Sequence, residues 1–351
     1  MAFTEFGTGS DQAVKRWSDM LFRETFGKMG IRSLIGKGPQ AAICLKTELD
    51  KSAGDQIKYD LLTQDRSNGI NGDSRLKGFE SALTYHQDDV KINQKRHAHA
   101  FKGMSAQRSV HDLRKDGRFS LSEWWSWFIE AGLMAHLAGV AGTGEETVVG
   151  ALGGDTGGTD FAGNPITAPD ANHLVATGNP FTLSDIDECI AKAKVHNPRV
   201  APLKIGGMER YVMYLHPYTV MKMRTEVNDS AAGWLDIHKN VDARSDGSPI
   251  YSGALGVYNG VILRESEFVP RSGTNLTHNI MLGAGAGAIA FGNAWAKGGS
   301  VSSPFAWREE TDDYDNEKGT AGVSILGFKG SQFNSESYGR IILRTTDPAT
   351  L

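Results

Sequence analysis

The sequence predicts an α+β protein. Three observations carry that reading: one long apolar helix in the first half, short strand-like runs in the second, and an excess of glycine. Glycine supplies 42 of the 351 residues, well above the usual ~7%, and without a Gly-X-Y period. So many turn-formers exclude a coiled coil or a helical bundle as the main theme. Helices followed by runs of strands fit the segregated α+β layout.

The elements follow in order. Residues 1–50 read as an arm broken by Gly7, Gly9, Gly27, Gly30, Gly36 and Gly38-Pro39. Within it, Ala13 to Phe26 predicts a short amphipathic helix with Val14, Trp17, Leu21 and Phe22 on one side. That aromatic face needs cover, from a neighbouring subunit or from the body of the same chain. Residues 54–101 read as a long two-stranded excursion. Ile57, Tyr59 and Leu61 alternate with polar neighbours. On the return, Val90, Ile92, Ala98 and Ala100 share one face, and Lys91, Asn93, Lys95, His97 and His99 the other. Asn68-Gly69 and Asn71-Gly72 between them suit tight turns. A hairpin of this kind is marginal alone in water and should lie on something.

Residues 104–139 predict helix. Ser105 to Arg114 starts the run, Gly117 is a candidate kink, and Ser120 with Glu123 matches a capping box. From Trp124 to Ala138 the segment is apolar nearly all round, so it is covered on most sides, and Gly139 ends it. Residues 141–180 read as a long surface loop. A capped helix follows from Ser184 to His196, with Ile186, Ile190 and Ala193 inward and Pro198 as terminator. Tyr211 to Leu215 reads as a buried strand, Tyr218 to Glu226 as helix, and Gly256 to Val269 as a strand pair around Asn259-Gly260. Strands are also expected over Ile280 to Ala294, Val323 to Phe328 and Arg340 to Thr345.

Composition narrows the function. Hydrophobic residues at 40% and charged residues at 22% are ordinary for a globular chain. The 37 basic and 41 acidic residues leave a net charge of −4, which argues against a dedicated nucleic-acid binder. Cys44 and Cys189 cannot build a disulfide framework or a zinc knuckle. The first residues show no basic segment followed by an apolar core, so no signal peptide is expected. Ile280 to Ala294 is too short, and too broken by glycine, to span a bilayer. A soluble, unsecreted protein is expected.

No cluster completes a catalytic or metal set. Gly283-Ala-Gly285-Ala-Gly287 lacks the strand–helix context of a dinucleotide fingerprint, so close backbone packing is the better reading. His97 and His99 have metal-compatible spacing, but no third ligand is near and Lys91 and Lys95 oppose a cation. Glu309, Glu310, Asp312, Asp313 and Asp315 form the densest acidic run. It lacks the spacing of a calcium loop and reads as a solvated or inter-subunit salt-bridging loop. No nucleophile elbow appears. No enzyme, no cofactor and no metal are expected. The alternative is a soluble α+β enzyme or ligand-binding protein using the Gly283–Gly287 loop or the acidic 309–315 loop.

Several stretches run in order from about residue 50 to 345. They are Gly103-Met-Ser-Ala-Gln-Arg-Ser-Val-His-Asp-Leu113, Arg210-Tyr-Val-Met-Tyr-Leu-His-Pro-Tyr218 and Gly256-Val-Tyr-Asn-Gly-Val-Ile-Leu-Arg-Glu265. Leu282-Gly-Ala-Gly-Ala286, Trp307-Arg-Glu-Glu-Thr-Asp-Asp-Tyr314 and Gly322-Val-Ser-Ile-Leu-Gly-Phe328 complete them. With the arm, hairpin and central helix, the layout resembles the major capsid proteins of tailed bacteriophages, which have the Hong Kong 97-type fold.

The resemblance implies an N-terminal arm (1–53), an extended E-loop (54–101) and a spine helix opening a peripheral P domain (102–149). An axial A domain (150–300) and C-terminal P-domain strands (301–351) would follow. It implies a virion protein, assembled in the host cytoplasm into hexamers and pentamers of an icosahedral shell. Partners would be a portal, a separate scaffolding protein, a cement or decoration protein, and packaged DNA held non-specifically; no membrane is implied. Covalent cross-linking is not expected. Lys91, Lys95, His97 and His99 are the expected inter-subunit contacts on the hairpin, facing Glu309, Glu310, Asp312 and Asp313 of the next subunit.

Overall fold

The computed structural model describes residues 11–38, 40–50, 54–62, 69–140, 158–176, 180–196, 199–225, 254–272, 275–293, 304–314 and 316–346. Helix α1 (Asp11–Lys28) is followed by short strands β1 (Ile35–Gly36) and β2 (Ile43–Lys46). Strands β3 (Gln56–Leu62) and β4 (Tyr85–Lys91) form a hairpin, and β5 (Asn93–Lys102) continues from it. The short helix α2 (Gly103–Arg108) precedes the long helix α3 (Leu113–Ala138). The next elements are β6 (Leu174–Ala176), α4 (Leu183–Val195), β7 (Leu203–Ile205), β8 (Met208–Leu215) and α5 (Pro217–Thr225). Then come β9 (Ala254–Tyr258), β10 (Val261–Glu265), β11 (Arg271–Ser272), β12 (Leu276–Leu282) and β13 (Gly287–Phe291). Strands β14 (Phe305–Asp312), β15 (Glu317–Gly330), β16 (Gln332–Phe333), β17 (Glu336–Ser337) and β18 (Arg340–Thr346) close the described chain.

Helix α3 starts earlier than the Ser120–Glu123 capping box suggests. Asp112 caps it, its side chain accepting the Lys115 N–H at 3.4 Å. Ser120 and Glu123 therefore lie inside the helix, where Ser122 Oγ instead donates to the Phe119 carbonyl at 2.8 Å. Gly117 is absorbed without ending the helix; its missing side chain leaves room for Thr320, whose hydroxyl would sit 3.0 Å from an added Cβ. The C-terminus does fall at Gly139, with φ 71° and its N–H donated to Ala135 O.

Strand pairing corrects the expected hairpin. Residues 54–101 are not one two-stranded excursion: among the described residues β3 pairs antiparallel with β4 alone, from Gln56↔Lys91 to Leu62↔Tyr85. After Ile92 the chain leaves that pair, and β5 runs antiparallel along β15, from Lys102↔Glu317 to Asn93↔Leu326. Leu326 pairs with both Asn93 and Phe291, so β13 and β5 lie on opposite edges of β15. With β14 pairing alongside β15 and β2 beside β13, these strands make a six-stranded sheet. The second sheet, of eight strands, runs β6-β18-β12-β8-β10-β9 with β7 and β11 at its margins. The Asn259-Gly260 turn joins β9 to β10 with φ of 44° and 82°, the geometry a tight hairpin requires.

The eight-stranded sheet is covered on both faces, which explains its unbroken apolar runs. Val212, Tyr214, Ile280, Leu282 and Ile342 join the main core with α3 and the six-stranded sheet. Their neighbours Tyr211, Met213, Leu215, Met281, Ile341 and Leu343 join a second core under α4 with Ile186, Ile190 and Ala193. Helix α1 packs within its own chain. Phe22 meets Phe305 at 6.0 Å between ring centres, Phe26 meets Phe291 at 6.1 Å, and Leu21 is fully buried. Val14 and Trp17 lie outside the described side chains.

Arg340, the first residue of β18, is wholly buried among these layers. Its Nη1 donates to the carbonyls of His136 and Leu137 at the C-terminal end of α3, and Nη2 to Thr167 O at 3.4 Å. A cation at a helix C-terminus complements both its dipole and its unpaired carbonyls. Burial lowers the Arg340 pKa to about 10, so it stays charged at neutral pH. Gly139→Ala would force a side chain into the left-handed region, at ~1–2 kcal/mol, and against the Thr167 backbone. Thermal unfolding of the free subunit should show a lower Tm for Gly139→Ala and for Arg340→Met. An unchanged Tm in either variant would contradict this joint.

Candidate assembly surface

The hairpin root is the best-anchored part of the excursion. Lys329 Nζ lies 2.5 Å from Asp88 Oδ1 and 3.3 Å from Asp89 Oδ1, with Lys329 and Asp88 almost fully buried. Asp88 Oδ2 also accepts from Tyr59 Oη at 2.8 Å and from the Gln332 N–H at 3.0 Å. Burial, then the Asp88 carboxylate, pushes the Tyr59 hydroxyl well above its ordinary pKa, so it remains a donor. Ile57 and Val90 close a small apolar cluster with Leu49 and Ala290 beneath it. The arm therefore leaves the body from a fixed root.

Beyond that root the side chains turn outward. Leu76, Phe79 and Leu83 are exposed, Phe79 at 75%, and Tyr85 at the strand start is exposed too. Met104, Val110 and Phe119, around the head of α3, are also exposed. Apolar side chains strung along one extension are what a protein interface leaves uncovered in its free subunit. Residues 73–85 went unmarked in the sequence because a coil segment has no period to signal; the available sign was four apolar residues spaced by two to four.

The basic strand face lies differently from expectation. Lys95, His97 and His99 are half-buried, while Arg96, Ala98 and Ala100 are exposed. The cause is the pairing of β5 with β15, which turns the odd residues toward α3. His97 stacks on Trp124 with ring centres 4.3 Å apart. Lys95 Nζ lies 5.3 Å from the Phe128 ring centre and 5.5 Å from that of Phe161. Long basic stems cover aromatic surface better than alanine does. Burial lowers the Lys95 pKa. Burial first, then His99 and Lys95, lowers that of His97. His99 stands 5.1 Å from His97, edge to face. Lys91 stays exposed while its backbone is clamped by Asn164, at 2.8 Å in both directions.

The acidic run is strand and tight turn rather than a loop. Glu309, Glu310 and Asp312 lie on β14 and Asp313 in the turn; Asp315 lies outside the described residues. Glu309 Oε1 accepts from Arg114 Nη2 at 2.6 Å and Nε at 2.7 Å, and from Trp307 Nε1 at 2.7 Å. Glu309 is thus bound to the helix of its own chain, and Glu310, Asp312 and Asp313 face outward. Register places Glu309 opposite Thr320 and Thr320 opposite His99, so both predicted sets share one sheet.

The glycine loop spends its amides on close packing within its own chain. The amides of Gly283, Ala284, Gly285 and Gly287 donate to Gly339, Ala201, Ala41 and Ala42 carbonyls at 2.7–3.3 Å. Among the described residues no three His, Cys, Asp or Glu side chains gather as metal ligands. No described helix is long and apolar enough to cross a membrane.

A doubly cored body, a rigidly rooted arm and apolar side chains left on that arm define a structural assembly subunit. The sequence profile of the family described as phage capsid protein matches residues 5–350, and the chain belongs to that family. The major capsid protein of Pseudomonas phage KPP25 is 25% identical over 97% of this chain and 96% of its own. The capsid of Ralstonia phage GP4 superposes with TM-score 0.77 at 29% identity, covering 99% of both chains. The cyanophage Pam1 capsid has the same fold at 17% identity, with TM-score 0.70 over 99% of this chain and 97% of that one.

Two outcomes test the placement of Lys95 and His97. Lys95→Glu should destabilise the free subunit by about 1 kcal/mol or more, while exposed Lys91→Glu should leave its Tm unchanged. His97 binds its proton more weakly when folded, as does His278, which burial pushes to about 4. The unfolded chain protonates first, near pH ~6.5, so stability falls as pH drops from there toward 4. Urea unfolding across that range should show a shallower slope for His278→Gln.

Proposed function

We propose that this capsid protein is the major shell subunit of a tailed phage. It assembles as hexamers and pentamers into an icosahedral shell around double-stranded DNA. The observation that carries the reading is the apolar arm, Leu76, Phe79, Leu83 and Tyr85, on a root fixed by the buried Asp88–Lys329 pair. Such an arm gains nothing for a lone chain and becomes favourable when the next copy covers it, at ~25 cal/mol per Å².

In this reading residues 1–53 are a separate N-terminal arm, 54–101 the E-loop, whose apolar extension carries Leu76, Phe79 and Leu83, and 102–149 the spine helix and first part of a P domain. Residues 150–300 form the A domain and 301–351 the remaining P-domain strands. Exposed Lys91, Glu310, Asp312 and Asp313 serve contacts between copies, and Lys95, His97, His99 and Glu309 hold the arm's base strand and helix in shape for them. Each exposed ion pair contributes only ~0.2–1 kcal/mol, repeated in every copy. A separate scaffolding protein sets curvature, a portal occupies one vertex, and cement proteins decorate the outside. Packaged DNA is touched weakly and non-specifically, as a net charge of −4 suits. The subunit acts without catalysis, and assembly takes place in the host cytoplasm.

Co-expression with the scaffolding protein, viewed by negative-stain electron microscopy, should give closed shells. The Phe79→Ser, Leu83→Ser double variant should keep the subunit's Tm and yield few or none. Wild-type protein that stays a compact monomer with scaffold present, or a double variant that assembles normally, would overturn the reading.

A further inference from the structure

Two histidines meet where α4 ends against the edge of the eight-stranded sheet. His173 closes a single 3-10 turn, Ala171–His173, that leads into the edge strand β6. Its side chain is almost fully buried, and Nδ1 faces both carboxylate oxygens of Asp170, at 2.8 and 3.0 Å. The same carboxylate accepts the Ser337 N–H of β17 at 2.9 Å. His173 is thus tied through Asp170 to a second strand. Its other neighbour is His196, the C-cap residue of α4, with ring centres 4.4 Å apart and edge to face. His196 is half-buried, so one ring of the pair has a way out to water.

The charges facing the pair come from three elements. Asp170 precedes the 3-10 turn, and Arg340 of β18 acts on His173 from the core. From α4, Lys192 Nζ donates to the Leu174 carbonyl at 2.9 Å and lies 3.5 Å from Glu188, while Lys194 is exposed. Beyond the helix, Arg199 pairs with Glu209 at 3.7 Å. One proton can be carried here, on His173 beside Asp170 or on His196, since a helix C-terminus tolerates a cation. A second proton sets two cations side by side, with Arg340 behind one of them. Burial first, offset in part by Asp170, lowers the His173 pKa, and His196 and Arg340 lower it further. His173 therefore binds its proton more weakly folded than unfolded, and its contribution to stability is lost as pH falls below ~6.5. Against burial, His173 and the Ser337 amide hold the Asp170 carboxyl below its ordinary range, so it stays ionised there.

We propose that His173 and His196 form an acid-operated clasp between α4 and the β6 edge, closed with one proton or none and opened by the second. His173 is buried and tied to Asp170, so His196 is the ring that swings out to water. The last turn of α4 then peels from residues 171–174, while Ile186 and Ile190 keep the start of the helix on the second core. The device belongs to the single chain and operates whether or not shells form.

Hydrogen exchange of the full-length subunit at about pH 7.5 and about pH 5, on either side of the ordinary histidine value, tests this. Rates are corrected for the intrinsic pH dependence of amide exchange. Protection of Ala193 to His196 should fall on the order of tenfold more than that of α3 and β12, as a local opening does. In His196→Gln, whose side chain cannot take the proton, the turn should lose no more protection than α3. A wild-type turn that loses no more than α3 and β12 overturns the clasp, as does an equal excess loss in His196→Gln. Should that variant fail to fold, histidine-ring NMR titration of the wild type decides. Both rings should titrate in two steps, because each feels the proton on the other. Single-step curves for both rings overturn the proposal.

Discussion

The buried guanidinium of Arg340 holds the architecture together. It begins β18 of the eight-stranded sheet, donates to the last carbonyls of α3 and to Thr167, and lies against Gly330 at the end of β15. One side chain thus joins both sheets to the helix. A buried charge is costly unless its donors are satisfied; here the open carbonyls and dipole of a helix terminus serve Nη1 and Thr167 serves Nη2, while Nε finds no acceptor among the described residues. Gly330 has no side chain because that guanidinium and the His136 carbonyl occupy the space.

A body fixed in this way can carry an arm that has no core of its own. The Asp88–Lys329 pair, with Tyr59 and Gln332 on the same carboxylate, roots β3–β4 at the junction of the sheets. Partner removal would strand a buried charge, so the root resists loosening more than a surface ion pair would. The apolar residues beyond it are left to be covered from outside. In the proposed shell, subunit stability and subunit association are thereby separated in space: the cores lie around α3 and under α4, and the proposed association surface lies on the extensions.

Much of the fold was legible in sequence where a local signal decided the structure. The run from Trp124 to Ala138 and Gly139 gave the end of α3, and Asn259-Gly260 gave the β9–β10 turn. The helix read from Ser184 to His196 was legible as well, but it begins at Leu183 and its cap is Thr182, whose N–H the Asp185 carboxylate accepts at 2.7 Å. What was hidden depended on distant partners. Alternation in residues 90–100 separates two faces but cannot say which is inward. Ala98 and Ala100 looked apolar enough to be covered, yet Trp124 and Phe128 of α3 offered Lys95 and His97 a better surface. Ser120 and Glu123 matched a cap that Asp112 had already provided. Of the expected contact residues, Lys91, Glu310, Asp312 and Asp313 face outward, and Glu309 proved tied to Arg114 of its own helix. Phe79 and its neighbours gave no periodic sign.

Hydrogen exchange of the same protein, free and in assembled shells, tests the central claim most directly. Residues 69–85, without strand pairing in the subunit until Tyr85, should exchange rapidly when free and become protected in shells. The amides of α3 and of β8 and β12 should stay equally protected in both. Rapid exchange of residues 69–85 that persists in closed shells would contradict the account, because the arm would then be covered by nothing.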